Sequence, residues 1–462
     1  MTALSLALSR LRTALQPHLH DARLRRSLSN IGWSGSEKLL RLVIGLVVGL
    51  WVARYLQSHA YGQLQFAVSW VALFNAIAWL GVGETVLRDL VQRPADEGRI
   101  LGAALLLRVA GSCLAAGLAV AGALWFHADD PQVLAMVLVL SLAIPFAEAP
   151  AGVFLWFQAH GRLRGAVLAV NATRLAAALA KVALIVLGFG VLAFAWVGLA
   201  EAVLACAAIF AIWFAMAGHR PRWSADAAGA WQMLASGAPL ALAALATSLN
   251  SRVDQLMLGW LAGFEQVGLY AAATRFSEIW WILPPMLLNS IAPAYIYGHD
   301  GDAAIRRRVA WISASLAVPA ALASVLTTLW GDALVALALG PGYAGAGAIL
   351  AVHIWLTVFL FLDAPLSHYL VATHRQRYLT GKTLLTLAAN VALNAVLVPR
   401  HGALGAAIAT LAATAVVNTG FYALWAGTRD VARLQLEVAR LLAVDAWRLG
   451  FRQLQRLFAV PP

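Results

Sequence analysis

The chain has 462 residues, of which 62% are hydrophobic and only 12% charged, with a mean hydropathy of +0.78; no ordinary soluble domain has such a balance, so the chain reads as a polytopic membrane protein. A net charge of +12 could suit a nucleic acid, but the basic residues sit at the edges of apolar runs rather than in a patch with interleaved aromatics, which argues against that partner. Cys113 and Cys206 both fall inside apolar runs and suggest neither a disulfide framework nor a metal site, and nothing implies a cofactor.

In chain order, residues 1–35 form a basic amphipathic segment with Arg10, Arg12, Arg23, Arg25 and Arg26, without the compact apolar core and cleavage site of a signal peptide. A spanning helix needs about 20 apolar residues. Such runs predict twelve spans, at approximately 36–57, 62–86, 100–126, 131–156, 165–187, 190–216, 233–261, 266–296, 308–330, 345–372, 378–398 and 402–426. A linker at 217–232 divides two six-helix lobes, 36–216 and 233–426, and a basic tail occupies 427–462. Alternate connectors carry Arg88, Arg93 and Arg99, then Arg162 and Arg164, Arg220 and Arg222, Arg306 to Arg308, and Arg375, Arg377 and Lys382; the tail adds six more arginines. Most of the 33 basic residues thus lie on one side, so both termini are expected in the cytoplasm. The tail's Val431, Leu434, Val438, Leu441 and Leu442 recur at helical spacing among arginines, which predicts a helix lying on the inner membrane surface.

The halves echo one another. "ARYLQSHAYGQLQFAVSW" (53–70) and "LGWLAGFEQVGLYAAATRF" (258–276) place Tyr61-Gly62 against Val267-Gly268. Six spans per half give both halves the same orientation, so the repeat is parallel rather than inverted, and such repeats commonly enclose a binding site.

Ionisable groups at membrane depth cost roughly 2.5 to 3.5 kcal/mol each on insertion scales, so they face a wet cavity or a partner. Arg252 and Arg275 each lie about a dozen residues from the turn at Gly263-Phe264. At about 1.5 Å per residue both fall near the midplane of a ~30 Å hydrocarbon core. Arg174 and Lys181, seven apart, share one helical face. These pairs suit an anionic substrate, because a guanidinium grips phosphate oxygens in bidentate fashion. Asp254 is too close in sequence to Arg252 to be its simple partner on a helix; it is either counter-ion to a cation on a neighbouring helix, the reading favoured here, or a coupling carboxylate for protons or ions. Glu84 and Glu278 share that ambiguity. Arg41 has Glu37 one turn earlier, so it pairs locally or helps load an anion.

Several motifs carry less. "TGKTLLT" (380–386) lacks the first glycine and the strand of a phosphate loop. In "HADDP" (127–131), Asp130 before Pro131 reads as a helix cap rather than a metal ligand. His353 and His368 read as packing or hydrogen-bonding residues. Pro145, Pro150, Pro239, Pro284, Pro285, Pro319 and Pro365 are candidate bending points.

At 34–91, at "SRVDQLMLGWLAGFEQVGLYAAATRF" (251–276) and at "LVPRHGALGAAIATLAA" (397–413), the sequence resembles the polysaccharide biosynthesis flippases of the O-antigen (Wzx-type) family. The resemblance runs from about residue 30 to 427. It implies an all-α, MATE-like fold of the multidrug/oligosaccharidyl-lipid/polysaccharide exporter superfamily, with a cleft lined by spans one, two, seven and eight. It further implies transfer of an undecaprenyl-diphosphate-linked oligosaccharide, the repeat unit of O-antigen, capsule or exopolysaccharide, from the cytoplasmic to the periplasmic leaflet of the bacterial inner membrane, with polysaccharide polymerases and glycosyltransferases as neighbours. The cations it carries over are Arg41, Arg88, Arg252 and Arg275. No covalent chemistry is required, so the expected protein is not an enzyme. Rival readings are a lipid II flippase, a multidrug exporter and, in another class, a polytopic glycan polymerase or ligase. The last would need catalytic residues in a large outer loop, and the longest outward connector, Trp330 to Tyr343, carries the single acid Asp332.

Overall fold

The computed structural model describes residues 22–79, 81–127, 129–216, 223–224, 227–297 and 301–445; the side chains of residues 22–39, 42, 79, 84, 227–228, 236, 239–240, 243, 294 and 443–445 lie outside that description. Arg10, Arg12, Arg220, Arg222 and the tail beyond Asp445 therefore lie outside it, as does the side chain of Glu84.

Every regular element among the described residues is a helix. In order they are α1 (Ala22–Trp79), α2 (Gly83–Gln92), α3 (Glu97–Phe126), α4 (Pro131–Glu148), α5 (Ala151–Ala159), α6 (Leu163–Val186), α7 (Val191–Ala215), α8 (Ala227–Leu261), α9 (Phe264–Glu278), α10 (Leu283–Tyr295), α11 (Asp302–Leu339), α12 (Ala346–His353), α13 (Leu356–Ala372), α14 (Arg377–Leu424) and α15 (Arg429–Asp445). Seven continuous helical stretches among the described residues are long and apolar enough to cross a membrane. By contact the chain forms two compact units, one of residues up to Val48 with Phe74–Leu242, the other of Gly49–Leu73 with the residues from Ala243 on. Gly49–Leu73, counted with the first lobe in the sequence, thus packs with the second half.

Two of the longest helices are pairs joined end to end. α1 breaks at Gln57, whose φ of 60° and ψ of 173° lie outside helical space, and the Gln57 amide donates to the Arg54 carbonyl at 2.6 Å, taking up an acceptor that the interrupted helix releases. α14 breaks at Gly402 (φ 55°, ψ −133°), three residues after Pro399. Both breaks fall where adjoining spans are predicted to meet. A third was not anticipated. Span two, expected to run to 86, stops at Trp79; Gly81 takes a φ of 64° and α2 begins at Gly83, so Arg88 sits on a separate helix. Conversely, the stretch from Trp330 is no long outer connector, because helix α11 continues to Leu339 and stops where Gly340 takes a φ of 82°. Asp332 is therefore a helical residue.

In the first unit α4 packs on α3 and α7, α6 on α7, and α2 on α5. Lipid tails are as apolar as leucine, so close packing rather than water exclusion holds such helices together, and small residues let backbones approach. Ala115, Ala119 and Ala123 repeat every fourth residue on α3 and are fully buried, while Leu114, Leu118 and Trp125 of the same helix are exposed. A larger apolar cluster joins Val86, Leu90, Ile100, Trp156, Phe157 and Trp213. Asp130 caps α4, accepting from the amides of Gln132 and Val133 at 3.1 and 3.0 Å ahead of Pro131 at the first turn.

In the second unit the glycines of the repeated phrase meet. A methyl placed on Gly62 would overlap the carbonyl oxygen of Phe264, and one on Gly268 would overlap that of Ser58. Each glycine admits the other's helix. Elsewhere α11 packs on α12, α13 and α15, and α14 on α12, α13 and α15. The expected surface helix is α15, and its apolar stripe is used by the protein itself. Val431, Leu434 and Val438 are buried against Leu288, Val309, Leu370 and Phe421, while Leu436 is exposed. A fork holds it there. Arg375 donates from both terminal nitrogens to the two carboxylate oxygens of Asp430, each at 2.7 Å, and also to the Gly427 carbonyl at 2.8 Å. Partial burial of Asp430 favours the protonated acid, but the hydrogen bonds and charge of Arg375 outweigh it and hold the carboxyl below its usual value.

Candidate functional site

The expected site residues fall into separate groups. Arg41 is exposed on α1, and its predicted partner Glu37 has its side chain outside the description. Arg88 contacts its neighbour Asp89 at 3.1 Å. Arg174 and Lys181 do share one face of α6, as their spacing requires, but Glu201 of α7 lies between them, 4.0 Å from the first and 3.7 Å from the second. One carboxylate thus offsets half of that pair's charge. Deeper in the same unit, Arg108 of α3 and Glu148 of α4 form a buried ion pair.

The second unit holds Arg252 and Arg275. Arg275 on α9 donates from Nε to the hydroxyl of the buried Tyr61 at 2.5 Å, and its guanidinium lies 5.7 Å from that ring's centre. It also packs against Gly49, where any side chain would collide with it. Tyr61 meets Tyr343 edge-on at 6.5 Å, and the Tyr343 hydroxyl donates to the Ala53 carbonyl at 2.7 Å, so an aromatic buttress fixes the arginine's aim. Arg252 on α8 is half-buried. Glu278, at the end of α9, lies within electrostatic reach of both Arg252 and Arg275. Glu278 is also within electrostatic reach of Asp254, so among the described residues two guanidiniums and two carboxylates share this neighbourhood. Among the described residues Glu278, rather than Asp254, is the acid that balances these cations.

Asp254 has another environment, and the favoured counter-ion reading does not survive it. The carboxylate is buried, and among the described residues no cation comes within ion-pair distance. Four neutral groups donate to it instead: Asn394 Nδ2 at 2.7 Å, Asn390 Nδ2 at 2.8 Å, the Thr410 hydroxyl at 2.8 Å and the Tyr270 hydroxyl at 2.9 Å. Three helices assemble them. Asn390 and Asn394 stand one turn apart on the first arm of α14, and the break at Gly402 lets the second arm return with Thr410. Ala403 N donates to Gln266 of α9 at 2.9 Å beside that break. The carbonyl oxygen of Asn394 is buried without a partner. An isolated carboxylate is expensive to bury even when neutral donors surround it. The pocket thus holds a carboxylate with four neutral donors and, beside it, an amide oxygen that accepts no hydrogen bond among the described residues. Asn390 and Asn394 were not read from the sequence as site residues; the signal was two amides four residues apart in the otherwise oily "AANVALNAV".

Two other anticipated residues prove structural. His353 is buried, with Nδ1 2.7 Å from the Ser277 hydroxyl and its ring stacked on Trp281. Lys382, from the discarded phosphate-loop phrase, is buried against Asp363 and donates to the Tyr422 hydroxyl at 3.0 Å.

Residues 27–297 match the family model described as polysaccharide biosynthesis protein. A curated relative, "Probable flippase AglR" of Haloferax volcanii, is 29% identical over 171 residues; the match covers 35% of this chain and 35% of that protein, so the chain aligns with about a third of that relative's length. Among solved structures, "Lipid II flippase MurJ, inward closed conformation" is similar with a TM-score of 0.63 at 13% identity, over 93% of this chain and 96% of that one. An inward-facing multidrug resistance MATE family transporter of the MOP superfamily gives 0.62 at 14% identity, over 88% and 96%. At such identities the likeness speaks for the fold, and that fold is the all-α polytopic, MATE-like one expected. The chain belongs to the polysaccharide biosynthesis protein family and is an all-α, multi-pass membrane protein with the fold of these MurJ and MATE structures.

Proposed function

We propose that the protein is a flippase that carries a polyprenyl-diphosphate-linked oligosaccharide from the cytoplasmic to the periplasmic leaflet of a bacterial inner membrane, with both termini cytoplasmic. The observation that carries this reading is the pair of guanidiniums that Glu278 reaches, Arg252 and Arg275, the latter aimed by Tyr61. A diphosphate offers two guanidiniums the oxygens they bind best, and the polyprenyl chain stays in lipid. Arg174 and Lys181, sharing Glu201, form a second cationic group on α6, and Arg41 and Arg88 are further candidates for guiding the anion.

The drive is a cation gradient acting on Asp254. A carboxylate held only by neutral groups gains a charge partner when a proton or a small cation arrives and loses it on release, so its occupancy can bias the transporter between two states. Glu84 and Glu278 are the remaining coupling candidates.

Proteoliposomes containing lipid-linked oligosaccharide test the reading. Translocation should fall at least tenfold in the combined Arg252→Ala and Arg275→Ala variant, and normal translocation in that variant removes the midplane site. The superfamily likeness supports a second substrate, lipid II, whose head group also presents a diphosphate. Competition between the two lipids in the same vesicles distinguishes them, and repeat-unit transport predicts polymerase and glycosyltransferase genes nearby.

A further inference from the structure

A second group of arginines lies within the first unit, on a connector that the sequence assigns to the arginine-rich side. Residues of α2, Arg93 just after it and the start of α3 line, with Gly229, Gln232 and Met233 of α8, a cavity of about 370 Å3. That volume is near the lower end of the range typical of small-molecule sites, roughly 300 to 1,000 Å3. Three guanidiniums line it, those of Arg88, Arg93 and Arg99, and a single carboxylate, Asp89. Asp89 is buried and uses both oxygens as an anchor, one 3.1 Å from Arg88 and the other 3.5 Å from Arg93. Arg99 reaches Asp96, outside the wall, at 3.5 Å. Among the described side chains that line it, and even with Asp96 counted, cations outnumber anions.

The three arginine side chains are about half exposed, at 55%, 53% and 51%. A guanidinium carries five N–H donors in a planar fork, so one that contacts a carboxylate oxygen keeps donors for a phosphate oxygen. Ile100, Ala103 and Met233 add an apolar part to the lining, which is compatible with a lipid chain.

We propose that this cavity binds the phosphate or diphosphate head group of a lipid in the adjacent leaflet. Two lipids carry that chemistry, a bulk anionic phospholipid and a polyprenyl diphosphate. Naming the second rests on the function proposed above; the anion site itself does not. If the polyprenyl lipid is the occupant, the cavity is a waiting position that gathers substrate before it reaches the midplane arginines.

The test uses the full-length protein in nanodiscs of zwitterionic lipid, with inorganic pyrophosphate as probe and titration calorimetry as readout. It is run in the Arg252→Ala and Arg275→Ala background, so that the midplane group does not contribute. Adding Arg93→Ala and Arg99→Ala should weaken pyrophosphate binding at least tenfold, and Asp89→Asn, which removes the one acid of the wall, should strengthen it several-fold. Arg93→Lys with Arg99→Lys, the conservative change at these half-exposed positions, should fall between, since charge stays and the fork is lost. Equal affinity in all of these overturns the site. Nanodiscs doped with phosphatidylglycerol or with undecaprenyl diphosphate then identify the source: either lipid displacing pyrophosphate supports the proposal and names its ligand, and displacement by neither overturns the lipid reading. A protein that binds pyrophosphate here yet moves no lipid-linked sugar retains this site and refutes the flippase. One that moves the sugar with an unresponsive cavity does the reverse.

Discussion

Glu148 and Asp254 are both acids buried within a helical unit, and their surroundings differ in kind. Glu148 lies against the guanidinium of Arg108, itself almost wholly buried, and Arg108 Nε has no further partner. Asp254 has four neutral donors and no cation in reach among the described residues. A buried ion pair is a closed account: each charge needs the other, and neither can change without leaving its partner stranded. A buried acid with a neutral shell is open, because its hydroxyl and amide partners can reorient when a proton or cation joins. The first arrangement locks two helices together. The second can register an event.

Breaking the pair should give the largest effect. Arg108→Ala leaves Glu148 charged and alone, which should lower unfolding stability in detergent by about 3–5 kcal/mol, whereas joint replacement of Arg108 and Glu148 by Leu should be near neutral. If both give the same loss, the pair is not what matters at that position. Gly268→Ala, which forces a methyl into the Ser58 carbonyl, should cost about 1–3 kcal/mol by overpacking, read in the same melt. Asp254→Asn should cost less than Arg108→Ala, because an amide can be rehoused among groups that rotate or flip, yet it should abolish the response of translocation to a proton or sodium gradient. Retained gradient response would collapse the contrast between the two acids. Asp254→Ala should destabilise more than Asp254→Asn, since it leaves four donors without an acceptor.

A third acid tests the ordinary case at the edge of the protein. Asp430 has a folded pKa below its usual 3.8, so its contribution to seating α15 is complete above about 3.8 and disappears as pH falls through the lower folded value. Protease protection of α15 should therefore be constant from neutral pH down to about 4 and decline below it, and Asp430→Asn should remove that decline. The smallest effect belongs to Arg41→Ala at an exposed position, within about 0.5 kcal/mol in the melt.

The spans were legible because apolar runs and their breakers are local. The Gly402 break and the Asp130 cap could be read for the same reason. Gly81 was overlooked as a breaker because the run around it stays oily, and with it went the separate helix that carries Arg88. The cations could be placed by depth along a hairpin, and Arg174 with Lys181 by period, but neither method reports a partner from another helix. Glu201, Tyr61 and the balancing role of Glu278 needed the packing. Asp254 was the hardest to read, since its ligands come from residues far along the chain and are amides and hydroxyls, which at membrane depth look like ordinary interhelical glue. The tail's stripe was seen as apolar on one side, and the structure adds that part of it packs on the protein's own helices. Periodicity shows that a face is buried, not what buries it.

The docking of α15 bears on how the protein is made. The apolar cluster that Val431, Leu434 and Val438 complete draws its other members from α10, α11, α13 and α14. Those helices emerge from the ribosome, and can enter the bilayer, before the segment that closes over them exists. Until residue 438 is synthesised, Leu288, Val309 and Phe421 lack part of their cover and Arg375 lacks its carboxylate. This cluster of the second unit therefore cannot be complete until residue 438 has been made.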